Sequence, residues 1–272
     1  MKIAMSGASG FVASALKKAF PDYVVIERSD SVENLVEKFK GVDAVFNLAG
    51  APIATRWDEE YKKVLRSSRI ETTQKIVQAL NQSDVSHFIS TSAVGIYPND
   101  TPCDETCTTL GDDFLGILAK EWEEEALKCT KRTAILRFGV VLGKDGGALD
   151  KMLPAFQAGL GGILGNGRMV MSWIDIDDLV SMYRFVLEHK LEGIYNATAP
   201  QPVANYHFTK VLGKILHRPT WLPLPAFVIK MLFSEGAVVL LDSKEAYPKA
   251  LLNKGFVFAY PDVASSLKKI LA

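Results

Sequence analysis

The sequence predicts an α/β protein built on a doubly wound parallel sheet, with a smaller, mixed and largely helical lobe toward the C-terminus. Strand-like and helix-like segments alternate through the first half of the chain, which is the pattern of a parallel sheet covered by helices. The strand-like segments are continuously apolar, as at residues 44–46, so both of their faces are expected to be buried. A glycine-containing turn joins the first strand to the first helix.

The elements of the first half follow from hydrophobic periodicity. Strands are predicted over residues 2–5, 23–27, 42–48, 87–91 and 133–138. Helices are predicted over residues 11–20, 31–39, 59–80 and 113–129, of which the third carries an apolar stripe at helical spacing. The segment between Arg28 and Val42 is too short for a further strand and helix, so we expect the sheet to lack one strand of the full doubly wound arrangement.

The composition changes after Val140. Residues 143–147 and 159–167 are dense in glycine, which is typical of loops that pass over a cleft, and prolines surround helix-like pieces beyond residue 221. We therefore predict a sheet domain over residues 1–140, to whose sheet a later strand is able to return. A substrate-side lobe follows over residues 141–272 and includes a small helical module from about residue 221.

The composition excludes several classes of protein. The 272-residue chain has 31 basic and 31 acidic residues, and this balance disfavours nucleic acid and anionic membrane surfaces as partners. No apolar run approaches the roughly 18 residues of a membrane span, and no secretory signal is visible at the start. Three cysteines and four scattered histidines offer no metal-ligand spacing. We expect a cytoplasmic protein that binds a small molecule and no metal.

The turn after the first strand has the features of a dinucleotide-binding turn. Gly7 permits a tight turn, Gly10 lets the backbone approach a pyrophosphate, and Ala13 still allows close packing of helix on strand. The N-terminus of the following helix offers free N–H groups and a partial positive charge to the phosphates. We therefore predict a Rossmann-type domain that binds a nicotinamide dinucleotide.

The end of the second strand bears on which dinucleotide binds. An acidic residue there accepts hydrogen bonds from the ribose 2′-OH of NAD(H), whereas an arginine pairs with the 2′-phosphate of NADP(H). Both residue types are present, as Glu27 and Arg28. We predict that NADP(H) is preferred and that NAD(H) is possible.

Several segments resemble the extended short-chain dehydrogenases/reductases. They are the turn at 7–13, the Asn-Leu-Ala-Gly of 47–50 and the Ser-Thr-Ser-Ala-Val-Gly-Ile-Tyr of 90–97. More specifically, the chain is similar to an atypical branch, the sugar-nucleotide-epimerase-like proteins of the NAD(P)-dependent epimerase/dehydratase superfamily, at residues 47–53, 56–57, 66–70, 137–143, 146–149, 171–178 and 196–200. The tail resembles that branch's small C-terminal domain of unknown function.

This resemblance implies roles for individual residues. It assigns the phosphates to Gly7, Ser9, Gly10, Phe11 and Val12, and the 2′-phosphate to Arg28. It assigns the rest of the cofactor to Leu48, Ala49, Gly50, Ala51, Ser90, Thr91, Lys120 and Arg137, with Lys120 on the nicotinamide ribose. Ser92 is expected to hydrogen-bond the substrate oxygen, so that Ser92 and Lys120 belong to the catalytic group.

One catalytic residue of the family pattern is missing. Short-chain dehydrogenases carry Tyr-x-x-x-Lys on one helix, where the lysine lowers the pKa of the phenol so that it acts as an acid or base near neutral pH. The corresponding stretch here begins with Gly116 and ends with Lys120. Three replacements stay open: Tyr97, an acid at Asp112 or Asp113, or a water held by Ser92. Tyr97 has the alternative of being a packed ring.

Four further residues are candidates for contact with the substrate, namely Arg56, Trp57, Arg69 and Trp173. The arginines are suited to binding an anionic group, but Arg69 lies on a long helix and could equally pair with a surface carboxylate. Asp175, Asp177 and Asp178 superficially suggest a divalent cation, yet they precede or open a helix, where acidic caps belong. We interpret them as caps.

Two functions from different classes remain open. One is an NADP(H)-dependent oxidoreductase or nucleotide-sugar epimerase-like enzyme that acts on an unidentified small substrate. The other is a non-catalytic NADP(H)-binding sensor or scaffold, which the glycine at position 116 allows. The resemblance also implies a possible homodimer through the helices at 59–80 and 113–129.

Overall fold

A computed structural model describes residues 1–272. The strands are β1 Ile3–Ser6, β2 Tyr23–Ile26, β3 Ala44–Asn47, β4 His87–Ala93, β5 Pro102–Cys103, β6 Arg132–Phe138, β7 Val140–Leu142, β8 Val170–Met171, β9 Trp173–Asp175, β10 Gly193–Ala197, β11 Val203–Ala204 and β12 Glu245–Ala246. The helices are α1 Phe11–Ala19, α2 Val32–Lys38, α3 Glu59–Ser67, α4 Ile70–Asn81, α5 Phe114–Ala126, α6 Gly147–Gln157, α7 Ile176–Glu188, α8 Asn205–Ile215, α9 Ala226–Phe233, α10 Val238–Leu241, α11 Lys249–Asn253 and α12 Val263–Leu271.

The central sheet has six strands in the order β10-β6-β4-β3-β1-β2. Every pair in it is parallel, so the predicted parallel sheet is confirmed. The chain passes from β2 to β3 through α2 alone. The sheet therefore lacks one strand of the full doubly wound arrangement, as predicted. β10 from the second half of the chain pairs with β6 and forms one edge of the sheet. The domain boundary placed at residue 140 stays a prediction.

The sheet is buried on both faces, as its apolar strands predicted. On one face, side chains of β1 and β3 pack with α1 and α7 around Met5, Leu16 and Leu179. On the other face, alternate residues of the same strands pack with α2 and α4 around Val45, Leu35 and Leu80. These two cores fix the carboxyl ends of the parallel strands along one edge, where α/β proteins bind their ligands.

The single helix predicted over 59–80 is wrong, because the structure has two helices there. α3 ends at Ser67 and α4 begins at Ile70. The Arg69 guanidinium donates to the carbonyl of Leu65 at 3.1 Å, which satisfies an oxygen at the end of α3. The same guanidinium donates to the carbonyl of Ala51 at 3.1 Å. The break is therefore stabilised by a contact with a distant loop, which helical periodicity cannot reveal.

Other parts of the second half form contacts outside the central sheet. β7 pairs in parallel with β9, and a separate core around Trp173 and Phe208 joins α6, α8 and α12. The C-terminal module lies on the loop that follows β3: the N–H of Trp57 donates to the carbonyl of Phe233 at 3.3 Å. The Arg56 guanidinium donates to the carbonyl of Met231 at 3.0 Å.

None of the helices is long and apolar enough to cross a membrane. All three cysteines are free thiols. No group of three or more His, Cys, Asp or Glu side chains is arranged to hold a metal ion.

Candidate functional site

The turn between β1 and α1 is shaped to admit a phosphate group. Gly7 has a φ of +63°, and a Cβ at this position would lie 2.7 Å from the carbonyl oxygen of Leu48, so only glycine fits. α1 begins directly after Gly10, which carries no capping side chain. The first N–H groups of α1 are therefore free to bind an anion. Ser9 and Gly10 are exposed beside them.

The ring of Phe11 explains the density of glycine after β7. A Cβ built on Gly143, Gly146 or Gly147 would lie 2.6, 2.4 or 3.1 Å from atoms of this ring. The loop at 143–147 therefore covers the N-terminus of α1 and touches Phe11 without intervening side chains. The predicted passage of this loop over a cleft agrees with this contact.

The loop after β3 is held in place at several points. The Ser6 hydroxyl accepts from the N–H groups of Leu48 and Ala49 at 3.0 and 3.2 Å. The N–H of Ala51 donates to Ser68 Oγ at 3.0 Å. Leu48 of this loop lies next to Gly7 of the glycine turn. Residues 48–51 are therefore beside the turn, where the predicted cofactor contacts require them to be.

Arg69 holds the loop after β3 in place. Arg69 is 9% exposed, and a Cβ on Gly50 would lie 3.0 Å from its Nη2. It also stacks on the ring of Trp122, at 5.4 Å from the centroid. Burial lowers the pKa of Arg69 to about 10. Arg69 therefore clamps the loop and forms no surface ion pair with a carboxylate, and its predicted contact with the substrate stays a prediction.

Ser92 lies in a buried polar network. Its hydroxyl donates to Glu123 Oε1 at 2.6 Å. The Glu123 carboxylate also accepts two hydrogen bonds from Arg137, from Nε at 2.8 Å and Nη2 at 2.7 Å. Ser92, Glu123 and Arg137 are 1%, 6% and 5% exposed. Arg137 is therefore held by Glu123 inside the protein, and its predicted contact with the cofactor stays a prediction.

Tyr97 continues the same network. Its hydroxyl accepts from Arg137 Nη1 at 2.8 Å and donates to Asn196 Oδ1 at 2.9 Å. Its ring is fully buried, and burial raises the pKa of Tyr97 to about 12. The phenol therefore keeps its proton near neutral pH, and its hydroxyl is engaged by Arg137 and Asn196. The ring is packed inside the protein, as one of the two predicted alternatives has it, and the acid–base role of Tyr97 stays a prediction.

The backbone occupies the place of the missing tyrosine. A Cβ built on Gly116 would lie 2.2 Å from the carbonyl oxygen of Gly111, with two more atoms of Gly111 within 2.8 Å. The segment before α5 is anchored there by the N–H of Gly111, which donates to the carbonyl of Ile96 at 2.7 Å. No side chain fits at residue 116, so the loss of the tyrosine is built into the path of the chain.

Lys120 lies on the outer face of α5. Its side chain is 58% exposed, and its ammonium lies 3.9 Å from Glu124 one turn further along. The inner face of the helix carries Gly116, Ala119 and Glu123 instead. The predicted contact of Lys120 with the nicotinamide ribose stays a prediction, and the structure shows no contact between Lys120 and the Ser92 network.

Asp113 is the one replacement acid that is both partly accessible and held in place. Its Oδ1 accepts from the N–H of Gly116 at 2.8 Å and so caps α5. Lys244 of the C-terminal module lies 3.4 Å from its Oδ2 and donates to the carbonyl of Tyr97 at 2.8 Å. The Asp113 side chain is 33% exposed and that of Lys244 is 11% exposed. Asp112 is exposed and has no such partner.

The remaining candidates for substrate contact form hydrogen bonds within the protein. Trp57 and Trp173 are buried, and their indole N–H groups donate to the carbonyls of Ile53 and Gln201. Arg56 is exposed and tethers the C-terminal module, as described above. The predicted substrate contacts of both tryptophans stay predictions.

The acidic residues near α7 act as anchors. Asp175 is the N-cap of α7 and binds Lys269 at 3.0 Å. Asp178 accepts from the N–H groups of Ala259 and Tyr260. The interpretation of Asp175 as a cap is confirmed.

Two cofactor candidates on β4 point into the protein. Ser90 Oγ lies 3.5 Å from the side-chain amide of Asn47, and Thr91 Oγ1 lies 3.4 Å from the Tyr183 hydroxyl. Ser90 is buried and Thr91 is half-buried. Their cofactor contacts stay predictions.

Sequence reasoning missed Glu123 and Lys244. A signal for Glu123 was available, because it shares the helical spacing of the buried residues Gly116, Ala119 and Ala126. An acid on such a face implies a buried cationic partner. Lys244 had no local signal, since its partners lie more than a hundred residues away.

These features define a dinucleotide-binding protein of the epimerase class. Residues 3–198 match the NAD dependent epimerase/dehydratase family, and the chain belongs to that family. Residues 224–270 match a domain of unknown function, DUF1731.

The chain is similar to proteins that are named only by family. It is 42% identical to the epimerase family protein SDR39U1 homolog, chloroplastic, of Arabidopsis thaliana, over 93% of this chain and 74% of that protein. It is 32% identical to the epimerase family protein YfhF of Bacillus subtilis, over 100% of this chain and 98% of that protein. The crystal structure of human epimerase family protein SDR39U1 with NADPH superposes with a TM-score of 0.93 at 30% identity, covering 99% of both chains.

Proposed function

We propose that this chain is an NADP(H)-binding protein whose cofactor lies across the glycine turn at 7–10, with its adenosine end at Arg28. The observation that carries the proposal is the fitted pair of turn and loop, in which Gly7 contacts Leu48 and the N-terminus of α1 is free. NADPH bound to the similar human protein supports the choice of cofactor. When bound, the nicotinamide would supply or accept a hydride.

The residues around Ser92 and Gly116, where the nicotinamide is expected, favour cofactor binding over catalysis by a tyrosine. A hydride transfer to or from a carbonyl group needs a proton donor or acceptor within reach of the reacting oxygen. Ser92 and Tyr97 are enclosed by the Arg137–Glu123 ion pair, and the backbone of Gly111 fills the position of the missing tyrosine. We therefore favour an NADP(H)-binding sensor or scaffold over a reductase that uses serine, tyrosine and lysine.

A titration followed by cofactor fluorescence tests the binding proposal. Wild-type protein is expected to bind NADPH more tightly than NADH, and Arg28→Ala to lose about ten-fold or more in NADPH affinity because a charge-assisted phosphate contact is removed. Arg218→Ala, which removes an exposed arginine of the second half, is the matched control and should leave both affinities unchanged. Absence of binding for both dinucleotides would refute the proposal.

A second candidate function rests on Asp113. This carboxylate caps α5 next to the blocked tyrosine position and lies beside Lys244. If a small carbonyl compound or nucleotide sugar is turned over, Asp113 is the proton-transferring group that the geometry offers. Asn is as good a cap as Asp, so Asp113→Asn removes the charge and keeps the helix.

A substrate screen separates the two candidate functions. Consumption of NADPH with any member of a carbonyl and nucleotide-sugar panel, abolished in Asp113→Asn but retained in Asp112→Asn, supports the enzyme. NADPH binding without consumption supports the sensor. Activity that is lost in Ser92→Ala and kept in Asp113→Asn would contradict the role of Asp113 and return the chemistry to Ser92.

We also propose a homodimer through the surface formed by α3 and α5. Val64 on α3 and Ile117 on α5 are 41% and 50% exposed, and the Arg66–Glu121 ion pair joins the two helices. Sedimentation velocity of wild type and of Ile117→Glu measures this directly. A dimer that dissociates in the variant supports the proposal, and a monomeric wild type refutes it.

A further inference from the structure

The end of β2 forms a rigid turn that presents charged side chains outward. The N–H of Asp30 donates to the carbonyl of Glu27 at 3.2 Å, and the Asp30 carboxylate accepts from the N–H of Glu27 at 2.8 Å. Lys38 holds that carboxylate at 2.7 Å. Because Asp30 is buried and paired within the turn, it is not free to bind a ribose hydroxyl. Glu27, Arg28 and Ser29 remain exposed.

A second cation reaches this turn from α4. The Lys75 ammonium donates to the carbonyl of Arg28 at 3.4 Å, which is the one hydrogen bond of that side chain. Neither Lys75 nor Arg28 has a carboxylate partner within ion-pair distance, whereas Lys38 beside them is paired with Asp30. The next residues of α4, Ile76 and Val77, are buried against the sheet, so the backbone that carries Lys75 is fixed.

Two cations, Arg28 and Lys75, lie near one carboxylate, Glu27, at the end of β2. A 2′-phosphate carries close to two negative charges and would be attracted by Arg28 and Lys75 together. The Glu27 carboxylate would repel that phosphate but accept hydrogen bonds from the 2′-OH of NAD(H). The choice of dinucleotide therefore depends on the balance among these three exposed groups.

We infer that Lys75 is a specificity-determining residue: together with Arg28 it binds the 2′-phosphate of NADP(H), and Glu27 weakens that preference. This inference rests on the proposed NADP(H) binding. It adds a residue of α4 to a site that the glycine turn and Arg28 define. Lys75 contributes as a point charge on a flexible stem, so its effect is smaller than that of the bidentate Arg28.

Fluorescence titrations with NADPH and NADH on single variants test the assignment. Lys75→Met is expected to weaken NADPH binding about five-fold and to leave NADH binding unchanged, because an exposed charge contact is lost. Glu27→Gln should shift the ratio of affinities the other way, tightening NADPH and weakening NADH. Lys18→Met, at the far end of α1 from the turn, is the control and should change neither.

The outcomes separate the inference from the proposal on which it rests. If wild type binds NADPH and Lys75→Met leaves the NADPH/NADH ratio of affinities as it was, Lys75 is not part of the site and the inference is overturned. If Lys75→Met weakens both dinucleotides equally, its role is structural and the inference is also overturned. If wild type binds neither, the proposed function itself fails.

Discussion

Gly116 shows how one residue can mark a change of chemistry. Its Cβ position is filled by the backbone of Gly111, and the two glycines bring the segment after β4 into direct contact with α5. This contact belongs to the same corner as the Asp113 cap and the Lys244 ammonium. Backbone contacts and the Asp113 cap therefore occupy the region in which short-chain dehydrogenases carry the catalytic tyrosine.

Restoring a side chain at residue 116 should destabilise the protein. Gly116→Ala is expected to lower the free energy of unfolding by about 2 kcal/mol or more, because the new methyl group overlaps a backbone that cannot rotate away. Denaturant unfolding of Gly116→Ala and of Glu124→Ala, whose side chain is 58% exposed on the same helix, measures this cost. A Gly116→Ala variant as stable as wild type would contradict the described packing.

Glu123 is the residue on which the buried network depends. Glu123→Gln leaves the Arg137 guanidinium buried without a counter-charge, and we expect a loss of about 3–5 kcal/mol in the free energy of unfolding. Glu124→Gln is the control, since this carboxylate is 58% exposed on the same helix and should contribute less than about 1 kcal/mol. Equal stability of the two variants would show that the network is not ionised as described.

At the scale of elements, the contact between the loop at 143–147 and α1 links the two halves of the chain. The loop passes close to the first turn of α1 because Gly143, Gly146 and Gly147 leave room for the Phe11 ring. A cofactor whose phosphates bind that turn would lie under this loop. The order of the loop should therefore affect both stability and cofactor affinity.

Enlarging Gly146 should separate the loop from α1. We expect Gly146→Ala to cost about 1–3 kcal/mol in the free energy of unfolding through overpacking against Phe11, and to weaken NADPH binding. The double variant Gly146→Ala, Phe11→Leu should recover part of the loss, because the smaller side chain makes room. Additive losses in the double variant would mean that the two residues do not touch.

Elements of the first half were predictable because their signals are local. The parallel sheet and the glycine turn follow from periodicity and residue type, and the strand boundaries differ from the structure by only a few residues. The break between α3 and α4 was missed because Arg69 binds Ala51 across the chain. The network was missed because Ser92, Glu123 and Arg137 meet only after β4, α5 and β6 have packed.

At the scale of the whole molecule, stability should depend on pH through His87. This side chain is buried at the start of β4, and its Nε2–H donates to the carbonyl of Leu191 at 2.8 Å. Burial lowers the pKa of His87 below its ordinary value of 6.5, with a further contribution from Arg132. His87 therefore binds a proton more readily in the unfolded chain than in the folded protein.

The sign of this effect follows from linkage. Because the folded pKa is the lower one, the unfolded state takes up the proton first as the pH falls, and stability present above the ordinary pKa is lost below it. Unfolding free energies of wild type should fall between about pH 7 and pH 5.5, and less so in His87→Gln. An equal pH dependence of the unfolding free energy in both proteins would show that His87 does not cause it.

A crystal structure of the protein grown with NADPH tests the central claim most directly. We expect the pyrophosphate on the N–H groups after Gly7, the 2′-phosphate at Arg28, and the Ser92 hydroxyl still bound to Glu123. A dinucleotide bound elsewhere, or a Ser92 hydroxyl turned away from Glu123 toward the nicotinamide, would contradict it.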